Sequence, residues 1–247
     1  MRLYVIRHAD PDYPNNTITP HGHKEAAALA EYLLTLKLTH LFASPMGRAQ
    51  DTARYTAVAT GLPVVTAPWT AELTEMRMAV APDGRVYEPG VPVMAWDVHG
   101  EHVRGRPKPP TRDDWHELTH LADPAFREGV ARVARDSDEF LARFGFARDG
   151  GRYRITRPHG PADGALPRVA VFCHGGFGLT WLAHLLEIPV SLMWAGFWMP
   201  PSSVTTVLLD ERSGDWAVPR CLQLGATAHL YKAGLPVQPR GIIANFD

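Results

Sequence analysis

Three apolar runs along the chain carry no helical period, and each ends in a cluster of polar residues. Leu3-Tyr4-Val5-Ile6 runs into Arg7-His8, Leu41-Phe42-Ala43 into Ser44-Pro45 with Arg48 just behind, and Val169-Ala170-Val171-Phe172-Cys173 into His174-Gly175-Gly176. Short continuous apolar runs bounded by turn residues predict strands buried on both faces. Pro63-Val64-Val65-Thr66 is a further strand candidate, and Ser203 to Leu209 alternates as a late strand that Trp216 to Leu222 could pair with.

Between these runs the pattern turns helical. Thr19-Pro20 supplies an N-cap followed by proline at the first helical position, and Ala26, Ala27, Leu29, Ala30, Leu33 and Leu34 give an apolar face to about Leu36. Ser44-Pro45 repeats that signature, with Ser44 as the cap, ahead of a helix to about Thr60 that Gly61 ends. Arg112 to Phe144 reads as helical through Val130, Val133, Phe140 and Leu141. Asp149 to Arg168 reads as a solvated linker, His174 to Gly178 as a tight turn, and Leu179 to Leu186 as a helix. Alternating strands and helices predict an α/β fold with a mostly parallel central sheet and helices on both faces. The strand C-termini of such a sheet open on one edge, where ligands bind, so the three polar clusters are expected to meet there.

One stretch breaks the alternation. From about residue 79 the chain is rich in proline and glycine, with Trp96, His99, His102, Arg104, Arg106 and Lys108 among them. A long segment of this kind is read as an insertion, about 79–118, lying over the active-site edge of a single domain that spans 1–247. Arg77, Arg104, Arg106, Lys108 and Arg112 suit a second anionic group, or they simply keep the loop soluble.

Composition narrows the function classes. The 247 residues are 45% hydrophobic and 21% charged with a formal net charge of −1, which gives no global attraction to nucleic acid or to an anionic membrane. No apolar run approaches a membrane span and the first residues lack a leader pattern, so a cytoplasmic location is the default expectation. Cys173 and Cys221 are read as small core residues, and His21/His23 and His99/His102 as solvated rather than metal-binding. Trp69, Trp181, Trp194 and Trp198 are read as core, and Trp96 as core or substrate platform. The apolar stretch Leu192 to Pro201 covers either core or a second copy in a homo-oligomer.

The motifs occur in a recognisable order. Arg7-His8 after a first strand, Thr19-Pro20-x-Gly22, Ser44-Pro45-x-x-Arg48-Ala49-x-x-Thr52-Ala53, Leu73-Thr74-Glu75 and Phe172-Cys173-His174-Gly175-Gly176 together resemble the histidine phosphatase superfamily, which includes the cofactor-dependent phosphoglycerate mutases. The resemblance implies that His8 is the nucleophile, Arg7 and Arg48 clamp the phosphoryl group, His174 is the second pocket histidine and Glu75 the proton donor. Glu72, Asp97 and Asp113 remain open as alternative acids. Gly175 and Asn16 are expected to add phosphate contacts. Ala9 stands where relatives carry glycine, and the mutases' Gly-x-x-x-Gly continuation after the acid is absent, which favours a phosphatase over a mutase.

The chemistry is coherent without the family. A neutral imidazole can attack phosphorus and form a phosphohistidine, which splits hydrolysis into two steps. Two guanidiniums hold the equatorial oxygens without a metal or other cofactor, and a carboxylic acid protonates the leaving oxygen. The expected partner is a small phosphorylated substrate. A phosphoglycerate mutase-type transfer and an inactive phospho-ligand binding module are the alternatives.

Overall fold

The structure is a computed structural model, described for residues 1–78, 93–157, 166–212 and 214–242. The first strand, β1 (Arg2–Arg7), leads into a small hairpin of β2 (Pro11–Asp12) and β3 (Thr17–Ile18). After it come α1 (Pro20–Leu34), β4 (His40–Ala43), α2 (Gly47–Thr60) and β5 (Val64–Thr66). Past two 3-10 turns, the described part of the inserted segment holds a further 3-10 turn at Ala95–Asp97 and the short α3 (Gly100–Arg104). The chain continues through α4 (Pro124–Ala142), the hairpin β6 (Phe146–Asp149) and β7 (Arg152–Ile155), β8 (Arg168–Cys173), α5 (Gly175–Leu186) and α6 (Val190–Gly196). It closes with β9 (Val204–Asp210), β10 (Trp216–Ala226) and α7 (Ala228–Lys232).

Eight strands form one sheet in the order β5-β4-β8-β1-β9-β10-β7-β6. The half from β5 to β1 is parallel, and from β9 onward each strand runs antiparallel to its neighbour. The central strands are buried on both faces, which is why they read as unbroken apolar runs. Tyr4, Ile6, Ala170 and Phe172 pack with Leu29, Leu33 and Ala53 of α1 and α2. Leu3, Val5, Val169 and Val171 pack on the other side with Phe140 of α4 and Phe177 and Trp181 of α5. Trp69 meets Trp181 edge to face with ring centroids 5.0 Å apart, a geometry worth about 0.5–1.5 kcal/mol beyond the area it buries.

Three expectations change. Helix α4 starts only at Pro124, because Asp123 caps it by accepting the Ala125 N–H; residues 115–121 form 3-10 turns instead. The expected linker after Asp149 begins with the β6–β7 hairpin, turned at Gly150 with φ +61°. The glycines after His174 form no separate turn, since α5 begins at Gly175. Residues 79–92, the first part of the expected insertion, lie outside the described residues. Among the described residues, no helix is long and apolar enough to cross a membrane.

Candidate active site at the strand ends

Register brings the polar clusters together. Arg7 pairs with Cys173 and Ala43 with Phe172, so the residues following β1, β8 and β4 emerge side by side. His8 and His174 face each other with ring centroids 5.1 Å apart and planes inclined by 58°. The Nδ1–H of His8 donates to the Ala9 carbonyl at 2.8 Å, which leaves Nε2 with its lone pair. The loop itself is tied to α2: the Ala9 N–H donates to Thr52 Oγ1 at 3.0 Å, and that hydroxyl donates to the Arg48 carbonyl at 2.7 Å.

Arg7 and Arg48 are both buried beside this pair. Arg7 Nη1 donates to the Met199 carbonyl at 2.6 Å, and Arg48 Nη1 to Asn16 Oδ1 at 3.2 Å. Ser44 Oγ accepts the Met46 N–H and lies 2.7 Å from His174 Nε2; with the hydroxyl proton directed at that nitrogen, Nδ1 carries the ring hydrogen. Among the described residues, Arg7 Nε, Arg48 Nε and, in that tautomer, His174 Nδ1 are buried donors without a partner. Unmatched donors are costly in a folded interior, and a cluster of them suits an anion. No side chain caps the N-terminus of α2, so its backbone N–H groups add to the same field.

Electrostatics fit the donor set. Burial, then the Arg7 and Arg48 charges, push the His8 imidazole well below its ordinary range and keep it neutral. Burial does the same to His174, reinforced by His8, Arg48 and Arg7, which favours the neutral ring. Burial also lowers Arg48, partly offset by Glu72.

The acid is where sequence and structure part. Glu75 does not enter the cluster: Leu73 and Met76 both turn inward, so the side chain between them faces α4 and pairs with Arg132. Glu72 reaches the site instead. Its carboxylate accepts the Phe177 N–H at 2.7 Å, the Gly176 N–H at 3.3 Å and the Leu73 N–H at 3.2 Å, at the start of the helix that follows His174. Burial raises Glu72 above the ordinary carboxyl value, against the lowering pull of those N–H groups and Arg48. Asp97, from the inserted segment, is raised to about 6 by burial and by Glu72, while its Oδ2 accepts the Met94 N–H at 3.0 Å. Trp96 beside it lies on Gly176, where a Cβ would stand 2.5 Å from the indole ring.

The remaining expectations divide. Asn16, at φ +50°, holds Arg48 through its side-chain carbonyl. Gly175 lets Arg7 approach, a Cβ there being 3.4 Å from Arg7 Nε. Ser44 is no helix cap, because α2 starts three residues later with Met46 in that position. Arg112 pairs with Glu187, Arg104 lies against Gly196 of α6, and Asp113 is exposed. His23 and His99 are exposed as expected, whereas His21 is half-buried 3.2 Å from Glu25 and His102, also half-buried, packs edge to face on His120. Cys173 is buried, but Cys221 is only half-buried. Met193 and Trp194 make the stretch after Leu192 largely core. Sequence reasoning missed Met199 and Arg240, whose carbonyls fix Arg7 and whose surroundings carry no local motif.

Comparison with known proteins points the same way. The sequence signature described as "Histidine phosphatase superfamily (branch 1)" matches residues 3–142. A probable phosphoglycerate mutase of Enterobacter sp. is 32% identical over 82 residues, covering 30% of this chain and 38% of that protein. One from Klebsiella pneumoniae is 29% identical over 89 residues, covering 32% and 40%. The chain thus spans about two-fifths of the length of the curated relatives it matches. Among solved structures, mycobacterial glucosyl-3-phosphoglycerate phosphatase superposes with a TM-score of 0.56 at 21% identity, covering 92% of this chain and 99% of its own. Phosphoserine phosphatase from Entamoeba histolytica, in complex with 3-phosphoglyceric acid, superposes with 0.56 at 16% identity, covering 93% and 98%. These likenesses show a shared fold.

Proposed function

We propose that this chain, which belongs to the histidine phosphatase superfamily, is a metal-independent phosphatase that hydrolyses a small phosphomonoester through a phosphohistidine on His8. The observation that carries the reading is the neutral His8 ring, with Nδ1–H committed to Ala9, set among the unpartnered donors of Arg7, Arg48 and His174.

In the first half-reaction His8 Nε2 attacks phosphorus as the ester P–O bond breaks, the guanidiniums hold the equatorial oxygens, and Glu72 gives its proton to the departing alkoxide. In the second, the Glu72 carboxylate takes a proton from water, which attacks phosphorus and breaks the P–N bond. Inorganic phosphate leaves with His8 and protonated Glu72 restored. Hydrolysis rather than mutase-type transfer is favoured by Asp97, a second acid in the field of Glu72 and Arg7, which opposes a further anionic group next to the phosphate. A cytoplasmic setting and a single domain over 1–247 complete the reading.

The test is turnover of p-nitrophenyl phosphate with a chelator present, followed by phosphorylated metabolites including 3-phosphoglycerate. Activity that survives chelation and disappears in His8→Ala supports the reading. Loss with chelator alone, phosphate binding without turnover, or isomerisation without release of inorganic phosphate each overturns it.

A further inference from the structure

The chain's last described residues return to the nucleophile loop. After α7, Gly234 with φ +66° turns the chain, and Pro236 and Pro239 restrict the segment beyond it to extended conformations, which lowers the entropy lost on ordering it. Four contacts then tie it down. The Arg240 carbonyl accepts from Arg7 Nη1 at 3.1 Å and from Trp198 Nε1 at 3.0 Å. Arg240 Nε donates to Asp10 Oδ1 at 2.8 Å, and the Gln238 amide lies 3.3 Å from His21 Nε2.

The groups these contacts touch give them meaning. Arg7 Nη1 is shared between the carbonyls of Met199 and Arg240, which fixes the guanidinium plane and leaves Nε unpartnered beside Gly175. Asp10 is buried directly behind His8 and Ala9; its Oδ2 accepts the Thr19 hydroxyl at 2.6 Å, and its N–H donates to Glu25 Oε2 at 2.8 Å. Two buried carboxyl groups therefore sit under the nucleophile loop. The Arg240 guanidinium pairs with Asp10, and the His21 imidazole, itself against Gln238, with Glu25.

We propose that Gln238–Arg240 is a positioning strap: its main chain orients the Arg7 guanidinium toward the phosphate, and the Arg240 side chain balances the Asp10 carboxylate behind His8. The proposal rests on the phosphate-binding part of the reading above and deepens it. Arg240 acts through Arg7 and Asp10 and is a positioning residue.

The test compares the full chain with chains ending after Ile242 and after Leu235, plus Arg240→Ala and Arg240→Lys. Each is titrated with inorganic phosphate by calorimetry and assayed with p-nitrophenyl phosphate, with thermal melts reporting the folded state. Ending after Ile242 keeps the strap, and phosphate affinity and KM should stay within about 2-fold of the full chain. Ending after Leu235, which removes both the main-chain acceptor of Arg7 and the charge-assisted bond to Asp10, should weaken phosphate binding and raise KM by about 10-fold; Arg240→Ala, which keeps the carbonyl and loses only the bond to Asp10, should fall between. Arg240→Lys, which keeps charge near Asp10, should recover most of the loss. If the shortest chain does not fold, the two Arg240 variants decide.

A folded chain ending at Leu235 that binds phosphate like the full chain overturns the strap. So does an equal loss on ending after Ile242, which would move the effect to the last five residues. Should the full chain bind phosphate but turn nothing over, the hydrolysis reading fails while the phosphate titrations still judge the strap. A full chain that binds no phosphate overturns both.

Discussion

The floor of the site and its cover are built by different rules. The floor is three strand ends in register, and the backbone ladder alone decides that Arg7, His8, Ser44 and His174 are neighbours. The cover consists of Glu72, Trp96, Asp97 and Arg240, drawn from an extended stretch, a 3-10 turn and the C-terminal segment. No extended ladder places these groups; a lone bridge between Arg77 and Met94, single hydrogen bonds and side-chain packing do. On the proposed reading, the floor tolerates little change in chemistry, whereas the cover tunes affinity, proton transfer and specificity.

Changes at the floor are expected to have the largest effect. His8→Ala should lower turnover by about 10⁴-fold or more in steady-state assays, because a nucleophile is removed outright. A residual rate within 10-fold of the parent, as an order of magnitude, would break the distinction between floor and cover.

The acid comes next and sharpens the comparison, because two glutamates three residues apart are predicted to differ. Glu72→Gln should cost about 10²–10⁴-fold in kcat, while Glu75→Gln, which loses only an exposed pair with Arg132, should stay within about 3-fold. The reverse order would return the acid's role to Glu75. The pH profile carries the same contrast. His8 must be neutral, and its lowered value puts the acid limb well below the ordinary 6.5. Glu72 must be protonated for the first step, and its raised value puts the alkaline limb above the ordinary 4.5; Glu72→Gln should remove that limb and spare the other.

A smaller effect is expected from the cover's aromatic wall. Trp96→Ala should raise KM for p-nitrophenyl phosphate about 3- to 10-fold with little change in kcat, since the indole packs on Gly176 and carries no group that the proposed reaction uses. A large fall in kcat would place Trp96 in the chemistry.

The mildest prediction concerns stability beneath the floor. Glu25 is buried and raised to about 7 by desolvation, so its unfolded form loses a proton near 4.5 while the folded form holds it. Its contribution to stability is full below about 4.5 and is lost as pH rises through about 7. Melting temperatures of the parent and Glu25→Gln should therefore diverge in favour of the variant across that interval. A constant difference would mean that Glu25 is ionised throughout.

The same division explains what was legible in the sequence. Arg7, His8, Arg48 and His174 could be read because strand ends and helix starts have local signatures, and their order in the chain is the order of the sheet's construction. The parallel half of the sheet was legible for that reason too. The β6–β7 hairpin was hidden in a polar, glycine-containing stretch that lacks the alternation of a half-buried sheet, with only Phe146 and Tyr153 fully buried among its arginines. The choice between Glu72 and Glu75 depended on how Leu73 and Met76 pack, which no spacing rule supplies. Arg240 was invisible because its partners in the site, Arg7 and Asp10, lie more than two hundred residues away.

Trapping the covalent intermediate tests the central claim most directly. The enzyme would be mixed with excess p-nitrophenyl phosphate, quenched within milliseconds under alkaline conditions that preserve P–N bonds, and its peptides mapped by mass spectrometry. The account predicts one acid-labile phosphoryl group on His8, formed faster than steady-state turnover and absent in His8→Ala. A phosphoryl group on another residue, or full turnover with none on His8, would contradict it.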